Sequence, residues 1–365
     1  MQKVMFKTRL NYIFCNEIYL DSFWKEKLGF DRGAINYRPL KFKILNKSRI
    51  LFYLFKLLWP LIILICNLYF FVISFGKRRV NLVASEVFWL DSSNKSRSII
   101  SSIKSNNLSI VNMRRHDYFN YLGVFDRLKS ISFVFYACFF EIPFFKAKDR
   151  FHFVDLYRVM CFSLFIKKID LIGIKLNMCN HYDRWAMTVY QNFSTGSVVW
   201  QHGLLSDDVD LPMRLMNINE VRCINVDEIP RWRRLLDGNP VSMMVQETTF
   251  SVDRKLPIVD IMLISHPAYI EEEILFLLDL ISIVKHSNLV IGYKLHPVFD
   301  YKIANNKLRN TNIIKFGKEE FPPVVLAVTK SSTLGVEYES IGTKVIWHTD
   351  ETAKSVYESY LKNIN

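Results

Sequence analysis

The chain has 365 residues, enough for two domains of ordinary size; half of them are apolar, 15% aromatic and 23% charged, which excludes intrinsic disorder and fibrous repeats. A formal charge of +13 suggests a nucleic-acid binder, because Lys and Arg gain affinity by releasing phosphate counterions. The distribution argues otherwise: residues 1–80 hold 15 Lys and Arg against Glu17, Asp21, Glu26 and Asp31, so a net +11 belongs to one end and only +2 to the rest.

In chain order, Lys3, Lys7 and Arg9 lead into Asn11, Asn16 and Glu17 rather than into a continuous apolar core, so no secretory signal is expected and the chain is placed on the cytoplasmic side. The longest apolar run follows. Leu57 to Gly76, LLWPLIILICNLYFFVISFG, is uncharged and as a helix would measure about 30 Å, a membrane-spanning length. Pro60 and Asn67 fall inside it; Lys41, Lys43, Lys47, Arg49 and Lys56 precede it, and Lys77, Arg78 and Arg79 follow. Three readings stand: a monotopic or re-entrant helix pair in an anionic leaflet, a true span, and a buried core helix. Cations on both sides suit entry and exit at one face, since each basic residue near anionic lipid contributes on the order of 1 kcal/mol. Their interleaving with a lipid-compatible segment, rather than with a polar groove, argues against nucleic acid as a partner. The six cysteines, Cys15, Cys66, Cys138, Cys161, Cys179 and Cys223, are scattered without metal-ligand spacing, so neither a disulfide framework nor structural zinc is expected.

From about 80 to 235 strands are expected at Asn81–Leu90, Leu108–Met113, Asp170–Leu176, Ser197–Gln201 and Cys223–Val226. Helices are expected at Tyr121–Phe145, Phe153–Ile166, Tyr182–Phe193 and Arg231–Leu236. The last third alternates more cleanly: strand Val259–Ser265, helix Glu271–Lys285, strand Leu289–Lys294, a helix around Lys302–Arg309, strands Asn312–Phe316 and Val324–Thr329, helix Leu334–Ser340, and strand Lys344–Trp347. Such alternation implies parallel sheets with right-handed crossovers. The expected class is therefore α/β. Residues 1–80 form a basic, apolar membrane-associating segment, 81–238 and 239–350 two Rossmann-like domains facing across a cleft, and 351–365 a C-terminal helix; ligands of open α/β sheets bind beyond the carboxyl ends of the strands.

Three segments follow expected strands at such ends. In Val198–Gly203, VVWQHG, a strand delivers Gln201, His202 and Gly203 to a loop before Asp207, Asp208 and Asp210; a His there can act as a general base, with open approach beside the glycine, or can merely satisfy a turn. In Gly292–Pro297, GYKLHP, Lys294 and His296 share a face and Pro297 ends the strand, an arrangement suited to a phosphate. A second His-Pro pair, His266-Pro267, shows how readily that dipeptide arises. Finally Lys330-Ser331-Ser332-Thr333 leads an expected helix; its hydroxyls and free N–H groups suit a phosphate, although Ser332 or Thr333 would cap any helix. Glu337, about a turn on, could accept hydrogen bonds from ribose hydroxyls.

The order and spacing of these segments resemble bacterial surface-polysaccharide glycosyltransferases of the GT-B type, including sialyltransferases and Kdo transferases of capsule assembly, and the CDP-glycerol glycerophosphotransferases of teichoic acid synthesis. The resemblance covers about residues 170–350. It includes Asn180-His181-Tyr182-Asp183-Arg184-Trp185, where O-antigen and surface-carbohydrate proteins likewise place an Asn and an acid before a helix. It implies that His296, Ser331, Ser332 and Thr333 bind the phosphate of a nucleotide-sugar donor, and the residue reading adds Lys294 and Glu337 to that donor side. His202 then lies on the acceptor side with Gln201, Gly203 and Asp207, and the catalytic base is one of His202, Asp183 and Asp208. There is no clear acidic catalytic segment of the sialyltransferase kind, and Gln201 separates Trp200 from His202 where the teichoic acid enzymes join Trp and His directly. The expected activity is transfer of a sugar, such as a CMP-linked acid sugar, to a lipid-linked glycan in O-antigen or capsule synthesis. It takes place at the inner membrane with anionic lipids as partners and without cofactor or metal. A CDP-polyol phosphotransferase and a non-catalytic scaffold of polysaccharide assembly are the alternatives.

Overall fold

A computed structural model describes residues 9–28, 49–90, 99–100, 103, 107–112, 115–146, 149–179, 181–194, 197–201, 203–205, 207, 209–237, 242–246, 250–266, 269–296, 306–317, 319–330, 332–347 and 351–364. The chain divides into two compact units, Met1–Gln246 and Glu247–Asn365. Each is a mixed α/β structure around one parallel sheet.

In the first unit β1 (Glu86–Leu90), β2 (Leu108–Asn112), β3 (Lys175–Met178), β4 (Ser197–Trp200), β5 (Glu220–Cys223) and β6 (Ser242–Val245) lie in the order β2-β1-β3-β4-β5-β6, all in parallel register. Every residue of β4 is buried, as a central strand covered on both faces requires. The chain moves from β1 outward to β2, returns to the other side of β1 at β3, and then runs outward again, so the topology reverses between β1 and β3. β6 was not among the expected strands. It pairs with β5 from Glu220↔Ser242 to Cys223↔Val245, which carries the first unit to Gln246 instead of 238.

Among the described residues the helices of this unit are α1 (Arg9–Leu28), α2 (Arg49–Phe75), α3 (Val124–Phe140), α4 (Leu156–Leu171), α5 (Arg184–Asn192) and α6 (Glu228–Leu235), with short 3₁₀ turns at Asp117–Tyr121, Ile142–Phe144 and Asp149–Asp155. α1 is part of the folded unit rather than a separate tail. Leu10, Ile13, Phe14, Glu17 and Leu20 are buried at helical spacing, and α1 packs on α5. Asn16 pairs with the backbone of Met213 as another strand would, its amide donating to the Met213 carbonyl at 2.9 Å and its oxygen accepting from the Met213 N–H at 2.9 Å.

Beside it lies a buried charge cluster. The Arg184 guanidinium donates to both Glu17 carboxylate oxygens at 2.7 Å, and pairs also with Asp155 and with the His152 carbonyl. Burial alone would raise the Glu17 carboxyl, but the charge and hydrogen bonds of Arg184, with His152 behind it, hold it well below the usual carboxylate range.

The second unit has β7 (Val259–Ile264), β8 (Ile291–Lys294), β9 (Ile314–Phe316), β10 (Val324–Thr329) and β11 (Lys344–Trp347), in the order β11-β10-β7-β8-β9, again all parallel. Numbered within the unit this is 3-2-1-4-5, the Rossmann order, with the reversal between β7 and β10. α7 (Ile270–Val284) opens with Glu271, Glu272 and Glu273 at its positive end and buries Ile274, Leu277 and Leu280. α8 (Thr333–Ser340) and α9 (Ala353–Ile364) are its other long helices among the described residues. The first half of the helix expected around Lys302–Arg309 lies outside the described residues, and Asn306 and Lys307 are helical.

Replacing Glu17 by Ala leaves a buried guanidinium without its main counter-charge. Urea unfolding of the Glu17→Ala variant is expected to show a loss of about 3–5 kcal/mol, against a near-neutral change for the exposed Ser22→Ala on the same helix.

Candidate functional site

At the carboxyl end of the first sheet, β3 and β4 run into the two motifs singled out in the sequence. After β3, Asp183 is the N-cap of α5: its Oδ1 accepts from the backbone N–H groups of Trp185 at 3.1 Å and Ala186 at 2.9 Å. The next residue is Arg184 of the buried cluster, so this motif anchors helix starts. His181 is buried and meets the ring of Trp232 edge-on, with centroids 5.2 Å apart.

After β4, Gln201 is wholly buried. Its amide nitrogen donates to the Gly203 carbonyl at 2.8 Å and to Glu228, and its oxygen accepts from the Trp232 indole at 2.9 Å. Glu228, also buried, takes the Leu205 N–H at 2.9 Å and pairs with Arg231. Gln201 and Glu228 thus bracket the loop that carries His202, which itself lies outside the described residues, as do Asp208 and Asn180. Asp207 is exposed and ion-paired to Arg231 and Arg234, each at 2.9 Å. The hydrogen bond from Arg231 is the main cause that keeps its carboxyl below the usual range. A carboxylate stabilised in this way is a weak base, and Asp207 serves the loop as an anchor.

In the second unit the described residues expected to hold a donor fall into two groups. Lys294, at the end of β8, is buried; its ammonium donates to the Gly317 carbonyl and lies 4.5 Å from the centroid of the Phe321 ring. Burial lowers its pKa to about 8, against the opposing pull of Glu320. His296 follows it, half-buried. Ser332 and Thr333 lie instead beyond β10. Ser332 is the N-cap of α8 and accepts from the Leu334 N–H at 3.3 Å, Thr333 is the first helical residue, and Glu337 is half-buried further along. Ser331 lies outside the described residues.

The strand register reveals a partner for the α8 group that sequence reasoning set aside. Thr329 pairs with Ile264, so β10 and β7 leave the sheet side by side at the reversal, one toward Lys330 and Ser332, the other toward Ser265 and His266. The backbone N–H of His266 donates to Glu273 at 2.7 Å, and the Tyr293 hydroxyl donates to the other oxygen of Glu273 at 2.9 Å. The His266 ring lies 5.2 Å from that of Tyr269, over which the Lys330 ammonium sits at 4.2 Å while pairing with Glu272. Burial first, and the Lys330 charge second, lower His266 to about 4, so its ring is neutral at pH 7. The signal available beforehand was positional: open α/β sheets bind ligands where strand order reverses, and His266 follows the first strand of this unit.

α8 approaches the sheet closely because Gly335 allows it. A Cβ at that position would stand 2.8 Å from Thr329 Cγ2 and 3.0 Å from the Trp347 ring. The helix N-terminus, capped by Ser332 and carrying the positive end of the dipole, is thereby held against the ends of β10 and β11. Among the described residues no group of three or more His, Cys, Asp or Glu could hold a metal ion.

No protein-family model matches the chain, and no curated protein does. Among solved structures, UDP-N-acetylglucosamine 2-epimerase from Rickettsia bellii aligns at 10% identity over 72% of this chain and 78% of its own, with a TM-score of 0.38.

Two outcomes follow from this geometry. Gly→Ala within a helix normally gains up to about 1 kcal/mol, but Gly335→Ala is expected to destabilise the protein by about 1–3 kcal/mol, read by urea unfolding. The unfolded chain protonates His266 near its ordinary pKa of about 6.5, whereas the folded chain resists until about 4. Stability therefore falls as pH drops through that window, and His266→Gln should reduce the slope of stability against pH there by up to one proton.

Proposed function

We propose that the protein is a glycosyltransferase of GT-B type that moves a sugar from a nucleotide-sugar donor to a lipid-linked glycan of surface polysaccharide at the cytoplasmic face of the membrane. The observation that carries this reading is the second unit's strand reversal, where Lys330, Ser332 and Thr333 at the start of α8 stand beside the end of β7 and His266. A helix N-terminus lined with hydroxyls, one cation and a neutral imidazole suits the phosphates of a nucleotide. Ser331 belongs to the same segment, and we assign Glu337 to the ribose and His296 and Lys294 to the flank of the donor. The first unit supplies the acceptor side. His202 is the base we favour, because Asp183 is committed to capping α5 and Gln201, Gly203 and Asp207 organise the loop around it; Asp208 is the other choice.

In the reaction the base takes the proton of the acceptor hydroxyl and the oxygen attacks the anomeric carbon. The bond from that carbon to the donor phosphate breaks, and the nucleotide leaves with the electron pair. Charge developing on the leaving phosphate is met by the α8 dipole and the nearby N–H donors, and we assign this task to protein groups without a metal.

A panel of CMP-, UDP-, GDP-, dTDP- and CDP-linked compounds tests the reading through protection against thermal unfolding. One donor class is expected to protect, and His266→Ala and Ser332→Ala should each weaken its binding by roughly tenfold. Protection by none of the compounds would refute donor binding. Release of a nucleoside diphosphate in turnover would identify an ordinary nucleoside-diphosphate sugar, and release of a monophosphate a CMP-sugar or a CDP-polyol donor.

A further inference from the structure

The apolar segment that the sequence marks for a membrane is docked along its whole length. Trp59, Ile63, Asn67 and Ser74 of α2 are buried, one stripe of the helix. Halfway along, the Asn67 amide donates to the Phe153 carbonyl at 3.0 Å, and its oxygen accepts from the Tyr157 N–H at 2.6 Å; near the end, Ser74 Oγ and the Tyr157 hydroxyl lie 2.8 Å apart. The opposite stripe is bare hydrocarbon: Leu57 is 77% exposed, Leu61 55%, Ile65 57% and Val72 68%.

α3 shows the same division. It buries Ile131, Val134, Ala137 and Cys138, yet its outer side carries Phe135, Tyr136, Phe139 and Phe140, all exposed, and Phe144 just beyond is 85% exposed. Between Ile131 and Phe145 the single charged residue is Glu141, which is buried. A helix facing water would place polar groups at those positions.

The two helices are antiparallel neighbours. Arg127, early in α3, lies over Phe75 at the end of α2 and donates to the Lys77 carbonyl at 3.4 Å. At the other end Arg150, bonded to the Pro143 and Phe145 carbonyls, lies over Trp59 at 4.6 Å. Both also rest on α4, so each turns its exposed stripe away from it. Cations frame the pair: Lys77, Arg78, Arg79 and Lys129 at one end, Lys146 and Arg150 beside Asp149 at the other.

We infer that α2 and α3 together form a single lipid-contacting surface, with α2 lying in the plane of one leaflet instead of crossing it. The inference deepens, and rests on, the membrane address proposed above. The occupant is an anionic bilayer: apolar side chains between two sets of cations match acyl chains below a negative headgroup layer. Crossing would carry the Asn67 contacts with Phe153 and Tyr157, and with them the adjacent Asp155 and Arg158, to the middle of the hydrocarbon, where such groups are costly.

The experiment uses the full chain and flotation with vesicles of phosphatidylcholine, with and without phosphatidylglycerol. Binding is expected only with phosphatidylglycerol and should weaken with salt. Replacing Phe139, Phe140 and Phe144 together by Ser should lower binding by roughly 100-fold or more, as should Leu61→Ser with Ile65→Ser, whereas Leu275→Ser, on the second unit, should leave it unchanged. Wild-type binding by the triple variant, with loss in the α2 variant, would overturn the α3 surface and leave the membrane address standing. Absence of wild-type binding would overturn both. Self-association in the absence of lipid, abolished by the triple variant, would make the face a subunit interface and overturn the inference. For orientation, tryptophans introduced as Leu58→Trp, Ile65→Trp and Val72→Trp should gain equal quenching from brominated lipids; deep quenching at 65 with shallow ends would mean a crossing helix.

Discussion

The first unit is organised around one buried guanidinium. Arg184 cannot remain charged in the interior unless every face of its fork is met, and the structure meets them from three directions: Glu17 on α1, Asp155 and the His152 carbonyl from the 3₁₀ turn before α4, and its own place at the head of α5. α1 is thereby fixed against α5, and the turn that leads into α4 is fixed against both. The carboxyl end of β3 inherits its geometry from this constraint, because Asp183, one residue earlier, caps the same helix. Downstream, α4 supports α2 and α3, so the outer apolar face depends on the same cluster at one remove.

A comparable logic governs the loop after β4. Gln201 and Glu228 have no water to turn to, and each satisfies the other while holding Gly203, Leu205 and Trp232. The start of the loop after β4 is thereby fixed by buried hydrogen bonds. The second unit uses packing instead: the absence of a side chain at Gly335 brings the α8 dipole against the sheet.

Local patterning made much of the α/β alternation legible. Val324–Thr329 and Lys344–Trp347 stand where the apolar runs placed them, and α7 begins within a residue of its acidic first turn. What was not legible came from long-range pairing. β6, SMMV, has no strong alternation and exists because β5 offers it an edge; α1 reads as a weakly amphipathic basic segment because two of its buried positions are the polar residues Asn16 and Glu17. For the site, residue chemistry directed attention to His296, while strand order, which no short motif encodes, brings His266 beside the start of α8. The hydroxyl segment was legible because a helix start after a strand is a local property.

The Arg184 cluster also bears on how the chain comes to be folded during synthesis. Glu17 is made 167 residues before Arg184, so α1 must wait, its acid unpaired, until the head of α5 has been translated. For much of that interval α2 is already complete, with its docking stripe uncovered as well as its outer stripe, until Phe153 and Tyr157 are made. Nascent chains in this condition have a greasy helix on offer before they have a domain to restrain it. Early capture by a nearby bilayer or a chaperone would compete with aggregation, and the order of elements along the chain places that contact ahead of folding.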